Sequence, residues 1–134
     1  MDWITANIAI GNFVDARNLN STDVDAVLCL KDTCCVESDP NHCVMCVPLI
    51  DGPGNDPRLL EDAIDFIDAI VSDGERVLVH CHAGRSRSVC IVARYLMWKS
   101  GLSGKAALEV IKSKREIYLS PGIDELLSMR IGGQ

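Results

Sequence analysis

The stretch RVLVHCHAGRSRSV, residues 76–89, runs from one apolar segment through a polar loop into a second apolar segment. RVLV is short and apolar, which is typical of a strand in the middle of a parallel sheet. From Val89 onward apolar residues recur at helical spacing on two opposite faces, which predicts a helix that is buried on both sides. The stretch therefore predicts a central strand, a glycine-containing loop and a buried helix.

Segments of strand and helix character alternate along the rest of the chain. The pair Asp56-Pro57 predicts the first turn of a helix that Gly74 ends, and Ser120-Pro121 predicts the start of the last helix. Such alternation predicts an α/β fold, in which helices flank a central, mostly parallel sheet. The other predicted strands are NIAIG, VDAVLCL and CVMCVPL, at residues 7–11, 24–30 and 43–49.

The bulk composition limits what the chain can be. Its 134 residues are 48% hydrophobic and 24% charged, which suits one folded domain spanning residues 1–134. The net charge of −6 argues against nucleic acid or an anionic membrane as a partner, because such partners need a broad basic face. No apolar run approaches the roughly 20 residues of a membrane span. The start MDWITAN lacks the features of a secretory signal, so the seven cysteines are expected as thiols in the reducing cytoplasm.

The loop between the predicted strand and helix concentrates positive charge around one cysteine. Its backbone N–H groups and the helix N-terminus are expected to converge on one point and to favour an anion there. Cys81 ends the strand, so these groups and Arg87 favour its thiolate, which is a strong nucleophile. Arg87 can hold two oxygens of a phosphate with its planar fork, and Gly84 lets the backbone turn closely. Ser88 can donate a hydrogen bond to the sulfur and so assist its departure from a covalent intermediate.

The order His-Cys, five residues, Arg-Ser, here HCHAGRSRS, resembles the signature of the cysteine-based protein phosphatases. AGRSRS followed by VCIVARYLM resembles the dual-specificity family in particular, and NIAIGNFVDARN, VDAVLCL and AIDFIDAI fall in that family's order. The resemblance is to the small atypical type of this family, and it implies a phosphatase-like three-layer fold. It also implies two-step hydrolysis of phosphate monoesters through a phosphocysteine, without a metal or other cofactor. Its substrates would be proteins carrying phosphotyrosine and phosphoserine or phosphothreonine.

The resemblance assigns roles to single residues. Cys81 is the nucleophile, Arg87 binds the phosphate and stabilises the transferred group, and Ser88 assists the departing thiolate. His80 is expected to orient the cysteine strand without contacting substrate. The phosphate is expected to lie against His82, Ala83, Gly84, Arg85, Ser86 and Arg87.

This chemistry needs a carboxylic acid that protonates the leaving oxygen and then, as a base, activates water. Asp51 and Asp56 both lie in the loop DGPGNDP, residues 51–57. In the family the acid follows an apolar strand ahead of the cysteine, and Asp51 matches that place. Asp56 has a structural role as the N-cap before Pro57, so Asp51 is the preferred acid and Asp56 the alternative. The two glycines of the loop are expected to let it move.

Two positions depart from the family's pattern. Gly122 stands where an asparagine is expected before the last helix, so the loop is expected to lack one supporting side-chain hydrogen bond. Arg85 adds a charge where many relatives carry an apolar or aromatic side chain, and phosphatases that act on lipid phosphates are similar at AGRSRS. A phosphoinositide or other lipid phosphatase is therefore the alternative, and a catalytically silent phospho-binding module is a further one.

The histidines and cysteines outside the loop raise the question of a metal site. His42, together with His80 and His82, is a weak candidate. CVMC, residues 43–46, would need a tight turn to bind zinc, because strand residues three apart face opposite sides of a sheet. No metal site is therefore predicted. Buried apolar thiols are expected at Cys29, Cys46 and Cys90.

Two adjacent cysteines, Cys34 and Cys35, lie in a predicted loop. A thiolate such as that expected at Cys81 is readily oxidised. A disulfide between this pair and Cys81 is therefore a hypothesis for redox regulation.

Overall fold

The sheet is the frame on which the other elements are arranged. A computed structural model of the chain describes residues 1–33 and 42–131. The strands are β1 (Asp2–Trp3), β2 (Ile8–Gly11), β3 (Ala26–Cys29), β4 (Cys43–Cys46) and β5 (Val77–His80). They form one sheet in the order β1-β2-β5-β3-β4, in which β1 is antiparallel to β2 and the other pairings are parallel. The predicted mostly parallel α/β sheet is confirmed, and RVLV does supply its central strand.

The helices begin and end where local chemistry favours it. In the described part of the chain they are α1 (Phe13–Arg17), α2 (Pro57–Ser72), α3 (Arg87–Ser100), α4 (Gly104–Lys112) and α5 (Glu125–Ser128). The Asp56 carboxylate accepts a hydrogen bond from the Arg58 N–H at 2.9 Å, so it caps α2 as predicted. Gly101 adopts the left-handed conformation that commonly follows a helix and ends α3. Among the described residues, no helix has the length and apolar character that crossing a bilayer requires.

The sheet buries side chains on both faces, and the alternation along each strand separates them. In β5, Val77 and Val79 join the large core cluster, whereas Leu78 joins a smaller one. The large cluster contains the apolar faces of α2, α3, α4 and α5, while the smaller one contains Ala16 of α1. The sheet therefore has four helices against one face and α1 against the other, because strand side chains alternate with a period of two.

The parallel strands bring three chain segments to one edge of the sheet. Gly11 at the end of β2 and Cys29 at the end of β3 are both aligned with His80, the last residue of β5. The segments after these strands consequently emerge side by side. In open α/β sheets, ligands bind at this carboxyl edge.

The last helix differs from the prediction. Ser120 and Pro121 do not start it, because α5 covers only Glu125–Ser128. Gly122 has a φ of +86°, which no right-handed helix accommodates, and the Ser120 hydroxyl is bonded to Asp51 at 2.7 Å instead of capping a helix. The sequence signal for a helix start was therefore overridden by contacts with a distant loop.

The edges of the sheet account for the other differences. β4 is an edge strand that pairs only with β3, so Cys46 is exposed, and it is disulfide-bonded. The prediction of a buried thiol is thus wrong for Cys46, whereas Cys29 and Cys90 are buried as predicted. Strand β1 and helix α1 were not predicted, although a reciprocal capping box between Asn12 and Asp15 marks the start of α1.

Replacing Ile64 by alanine should test how much the packing of α2 against the sheet contributes to the free energy of unfolding. Ile64 is 0% exposed within the large core cluster, so the truncation removes apolar contacts and leaves a cavity. We expect a loss of about 2–5 kcal/mol in the free energy of unfolding, measured by urea denaturation. Val110→Ala, on the exposed side of α4, is the control and should change it by less than about 0.5 kcal/mol. Equal effects of the two substitutions would contradict this account of the core.

Candidate active site

Cys81 lies directly after the central strand, at the carboxyl edge of the sheet. Its thiol is free, and the residue is only 2% exposed. The Ser88 hydroxyl lies 3.3 Å from the Cys81 sulfur, within hydrogen-bond distance. The structure therefore brings together the cysteine and the serine that the sequence paired.

The loop after Cys81 adopts a conformation that depends on glycine. Gly84 has a φ of +67°, and a β-carbon at this position would collide with the carbonyl group of Gly11. In the described part of the chain, the backbone N–H groups of residues 82–86 donate to no protein acceptor. Donors left in this way in a strand–loop–helix unit are available to an anion.

Arg87 is the first residue of α3 and lies below the loop. It is 8% exposed, and its Nη1 donates a hydrogen bond to the Leu49 carbonyl at 3.3 Å. Its buried Nε has no hydrogen-bond partner among the described residues. Because a buried unpaired donor is costly, this guanidinium is suited to receive the oxygens of a bound phosphate.

A second arginine, Arg115, binds carbonyl groups of the loop that follows Cys81, and the sequence analysis did not identify it. Arg115 follows α4, and its Nε donates to the Gly84 carbonyl at 2.7 Å while Nη2 donates to the Ala83 carbonyl at 3.3 Å. Its Nη1 pairs with the Asp2 carboxylate at 2.8 Å. By binding two loop carbonyls on one side, Arg115 favours the loop conformation in which N–H groups remain available. In the sequence, Arg115 is one of several basic residues near the end of α4, and nothing there indicates that it contacts the loop.

The Asp51 carboxylate accepts hydrogen bonds from two serine hydroxyls. Ser86 donates from its hydroxyl to one carboxylate oxygen of Asp51 at 2.6 Å, and Ser120 donates to the other at 2.7 Å. The Ser120 N–H also donates to the Ser86 hydroxyl at 3.0 Å, which closes a three-residue network. The network connects the carboxylate directly to the loop that follows Cys81.

Asp56 is placed and charged differently. Its carboxylate bonds the Arg58 N–H and guanidinium, and these hydrogen bonds hold the pKa of Asp56 below its usual value. A group that is already a stable anion and caps a helix is poorly suited to donate a proton. The geometry therefore favours Asp51 over Asp56 as the acid.

The loop that carries Asp51 is packed in place. The buried side chain of Asn55 donates to the carbonyls of Ile50 and Gly52 and accepts from the Ile50 N–H. From the other side, Glu125 accepts a hydrogen bond from the Gly54 N–H at 2.6 Å. These contacts favour one arrangement of the loop despite its glycines.

Gly122 also contributes to this packing. A β-carbon on it would lie 2.6 Å from Cδ of Pro53, so the Pro53 ring occupies the space that a side chain would need. Where the family usually has an asparagine, Gly122 therefore packs closely against the loop of residues 51–57, which carries Asp51. Ser120 supplies a hydrogen bond to that loop instead.

The neighbouring residues of the motif occupy different environments. His80 is buried, and its Nδ1 lies 3.3 Å from the Cys81 carbonyl oxygen, where it contacts the cysteine backbone. His82 is exposed and stacks on Phe13 with a centroid distance of 4.7 Å. Arg85 is exposed, and its carbonyl accepts a hydrogen bond from the Tyr118 N–H.

Among the described residues, the remaining cysteines and histidines do not form a second reactive centre. No group of three or more His, Cys, Asp or Glu side chains suited to a metal occurs in residues 1–33 and 42–131. Burial raises the pKa of Cys90 to about 12, so this thiol is not nucleophilic near neutral pH. Cys34 and Cys35, the hypothetical redox partners of Cys81, lie outside the described residues.

One cavity of about 550 Å³ opens above Arg87. Its lining combines charged and polar side chains with the apolar segment Pro48 to Ile50. The lining residues are Lys31, Asp32, Pro48, Leu49, Ile50, Asp51, His82 and Arg87.

Comparisons with known proteins agree with this geometry. The sequence model of the family described as "Dual specificity phosphatase, catalytic domain" matches residues 10–128. Dual specificity protein phosphatase 1B of Arabidopsis thaliana is 32% identical over 89% of this chain and 74% of its own length. Dual specificity protein phosphatase 22 of Mus musculus is 34% identical over 86% of this chain but only 64% of its own length. The crystal structure of human DUSP28 superimposes with a TM-score of 0.85 at 26% identity, covering 96% of this chain and 93% of that one. The chain therefore belongs to the dual-specificity protein phosphatases, and residues 10–128 match their catalytic domain.

Proposed function

We propose that this chain hydrolyses phosphate monoesters on protein side chains through a phosphocysteine intermediate at Cys81. One observation carries the proposal. The buried Cys81 directly precedes a loop with available N–H donors, the buried Arg87 directly follows that loop, and Asp51 is bonded to the same loop through Ser86. A nucleophile, an anion site and a proton donor are thus held around one position, as phosphoryl transfer requires.

In the first step the Cys81 thiolate attacks phosphorus, and the bond from phosphorus to the leaving oxygen breaks. Loop N–H groups and Arg87 bind the oxygens of the transferred group, over which negative charge is spread. Asp51, in its protonated form, gives its proton to the leaving oxygen, so a neutral alcohol or phenol departs. The products of this step are the dephosphorylated side chain and phosphocysteine.

In the second step water attacks the phosphocysteine. The Asp51 carboxylate takes a proton from that water, and the sulfur–phosphorus bond breaks to release inorganic phosphate. Ser88, with its hydroxyl 3.3 Å from the sulfur, donates a hydrogen bond to the departing thiolate. The residues return to their starting protonation states, and no metal is required by this sequence of steps.

The walls of the cavity support protein substrates of more than one kind. The site is bounded by a short apolar segment, Pro48 to Ile50, and is open enough for phosphoserine and phosphothreonine as well as phosphotyrosine. The reducing cytoplasm, which keeps a catalytic thiol reduced, is the location we propose. Phosphoinositides and a turnover-free binding role remain the alternatives against which the experiments below discriminate.

Replacing Cys81 by serine should abolish turnover but preserve phosphate binding. A serine hydroxyl is a far weaker nucleophile than a thiolate, so kcat for a small aryl phosphate should fall by at least about a thousandfold. Tungstate binding, measured by calorimetry, should persist because the loop and Arg87 are unchanged. Cys43→Ser, at an exposed free thiol of β4, is the matched control and should keep full activity. Substantial turnover by Cys81→Ser would exclude this nucleophile, and absence of wild-type turnover despite tungstate binding would support a silent binding module.

Replacing Asp51 by asparagine should slow the release of poor leaving groups. General acid catalysis contributes about 10²–10⁴-fold, so kcat for unsubstituted phenyl phosphate should fall by about a hundredfold. An aryl phosphate with a strongly electron-withdrawing substituent needs less protonation and should lose less than about tenfold. Asp56→Asn is the control, since asparagine caps helices as well as aspartate does. If Asp56→Asn gave the steeper dependence on the leaving group, the assignment of the acid would be wrong.

Replacing Ser120 by alanine should disturb the acid without disturbing the nucleophile. The variant loses the 2.7 Å hydrogen bond to Asp51. We expect kcat for phenyl phosphate to fall about three- to tenfold, since a typical hydrogen bond contributes a net of about 0.5–1.5 kcal/mol. Turnover of the activated aryl phosphate should stay within about twofold. Ser113→Ala, which removes an exposed hydroxyl bonded to the Val110 carbonyl, should leave both rates unchanged. Equal losses for the two substrates would indicate a structural effect of Ser120 and would contradict positioning of the acid.

A further inference from the structure

Two cations gather on one aromatic ring beside the active-site loop. The Phe13 ring stacks on His82 with a centroid distance of 4.7 Å and an interplanar angle of 13°. Lys31 Nζ lies 5.0 Å from the centroid of the same ring, and Arg17 Cζ lies 5.7 Å from it. We call Phe13, Lys31 and Arg17 the basic subsite. It contacts the active-site loop through His82.

The sheet register explains why these residues meet although they are distant in the sequence. Gly11 and Cys29 are both aligned with His80. Phe13 follows β2, Lys31 follows β3 and His82 follows β5, so all three emerge at the same edge of the sheet. The Phe13 N–H also donates to the His82 carbonyl at 3.1 Å. The position of the basic subsite relative to Cys81 is therefore set by the backbone of the sheet.

Lys31 connects the basic subsite to the cavity that contains the proposed phosphate site. Lys31 lines the cavity together with Arg87, Asp51 and His82. The cavity volume of about 550 Å³ is larger than a phosphate group alone can fill. A substrate whose phosphate is bound by Arg87 therefore has room to place a second group next to Lys31.

The cations of the subsite are not neutralised by protein partners. In the described part of the chain, neither Lys31 nor Arg17 forms an ion pair. Asp32 also lines the cavity, and its carboxylate accepts a hydrogen bond from the Thr33 N–H at 3.0 Å. Cations without ion-pair partners beside a cavity, in a chain with a net charge of −6, are typical of a surface that recognises an anion.

We propose that the basic subsite binds a second anionic side chain of a phosphorylated protein, on a residue adjacent to the one that is dephosphorylated. The group is a carboxylate or a second phosphate, which Lys31 and Arg17 bind by the same charge-assisted contacts. This inference rests on the proposed phosphatase function and adds a preference among its substrates. A protein segment fits better than a lipid headgroup because the same cavity is also lined by Pro48, Leu49 and the 57% exposed Ile50, which offer apolar surface to neighbouring side chains.

The experiment compares three phosphotyrosine peptides that differ only at the residue next to phosphotyrosine, which is alanine, glutamate or phosphothreonine. We expect the wild-type kcat/KM to be about three- to tenfold higher for the glutamate peptide than for the alanine peptide, as partly exposed ion pairs allow. The phosphothreonine peptide should be favoured more strongly because it carries more charge. Lys31→Met combined with Arg17→Met should bring all three kcat/KM values within about twofold of one another, since methionine keeps the apolar stem and removes the charge.

Charge reversal and a remote control separate recognition from stability. Lys31→Glu should invert the preference, so that a peptide with lysine next to phosphotyrosine becomes a better substrate than the glutamate peptide. Lys105→Met removes the same charge from an exposed position of α4 and should keep the wild-type preference. Turnover of a small aryl phosphate, which does not reach the subsite, should stay within about twofold in every variant.

The outcomes distinguish this inference from the proposed function. If aryl phosphate and peptides are hydrolysed but the glutamate and alanine peptides are equivalent, or the double methionine variant keeps the preference, the basic subsite is wrong and the phosphatase stands. If no phosphate ester is hydrolysed, the proposed function itself fails. A phosphoinositide bisphosphate arm is included as well. A preference for that lipid over every peptide, lost in Lys31→Met, would overturn the protein substrate proposed for the subsite.

Discussion

Burial of both ends of the loop from His82 to Ser86 is the constraint on which the site depends. On one side the loop follows β5, whose four residues are all buried in the centre of the sheet. On the other side it enters α3, in which every residue from 87 to 96 is buried. With both ends fixed by the core, the loop N–H groups have no protein acceptor among the described residues, and the buried Arg87 Nε is likewise unpaired there, although an unpaired buried donor costs about 1–3 kcal/mol. That cost is offset by the apolar burial of the flanking strand and helix, and a bound phosphate would relieve it.

The loop from His82 to Ser86 is also fixed by hydrogen bonds and close contacts with residues that are distant in the sequence. Arg115 binds the carbonyls of Ala83 and Gly84, and Asp2 of the first strand orients Arg115 in turn. The backbone of Gly11 lies so close to Gly84 that only glycine fits there. A loop that must present donors to a ligand is thus fixed by acceptor contacts on its other side. The cation that binds those acceptors is buried enough to act as part of the scaffold.

The loop that carries Asp51, residues 51–57, is held in place by contacts with the segment from Ser120 to Glu125. Ser120 bonds the Asp51 carboxylate, the Gly122 backbone packs on Pro53, and Glu125 accepts from the Gly54 N–H. This segment gives up helical conformation at the position where the sequence favours a helix start. In exchange, the Ser120 hydroxyl joins that of Ser86 in donating hydrogen bonds to the Asp51 carboxylate. The position of Asp51 and the conformation of the segment from Ser120 to Glu125 are therefore set by the same contacts.

Local sequence determined much of this protein. Apolar periodicity located the four parallel strands and the helices α2, α3 and α4, because these elements bury faces whose spacing can be read directly. The order of Cys81, Gly84, Arg87 and Ser88 determined that a cysteine, a donor loop and an arginine would lie together, since all are within one strand–loop–helix unit.

Tertiary structure alone decided which distant residues complete the site. Arg115, Ser120 and the basic subsite around Phe13 have no signal in their local sequence, because their partners come from other strands and loops. The same holds for the short α5, where contacts with a distant loop overrode the local helix signal, and for the edge position of β4, which leaves Cys46 exposed. A sequence pattern reports which face of an element is buried, but only the packed sheet sets which chain segments meet at its edge.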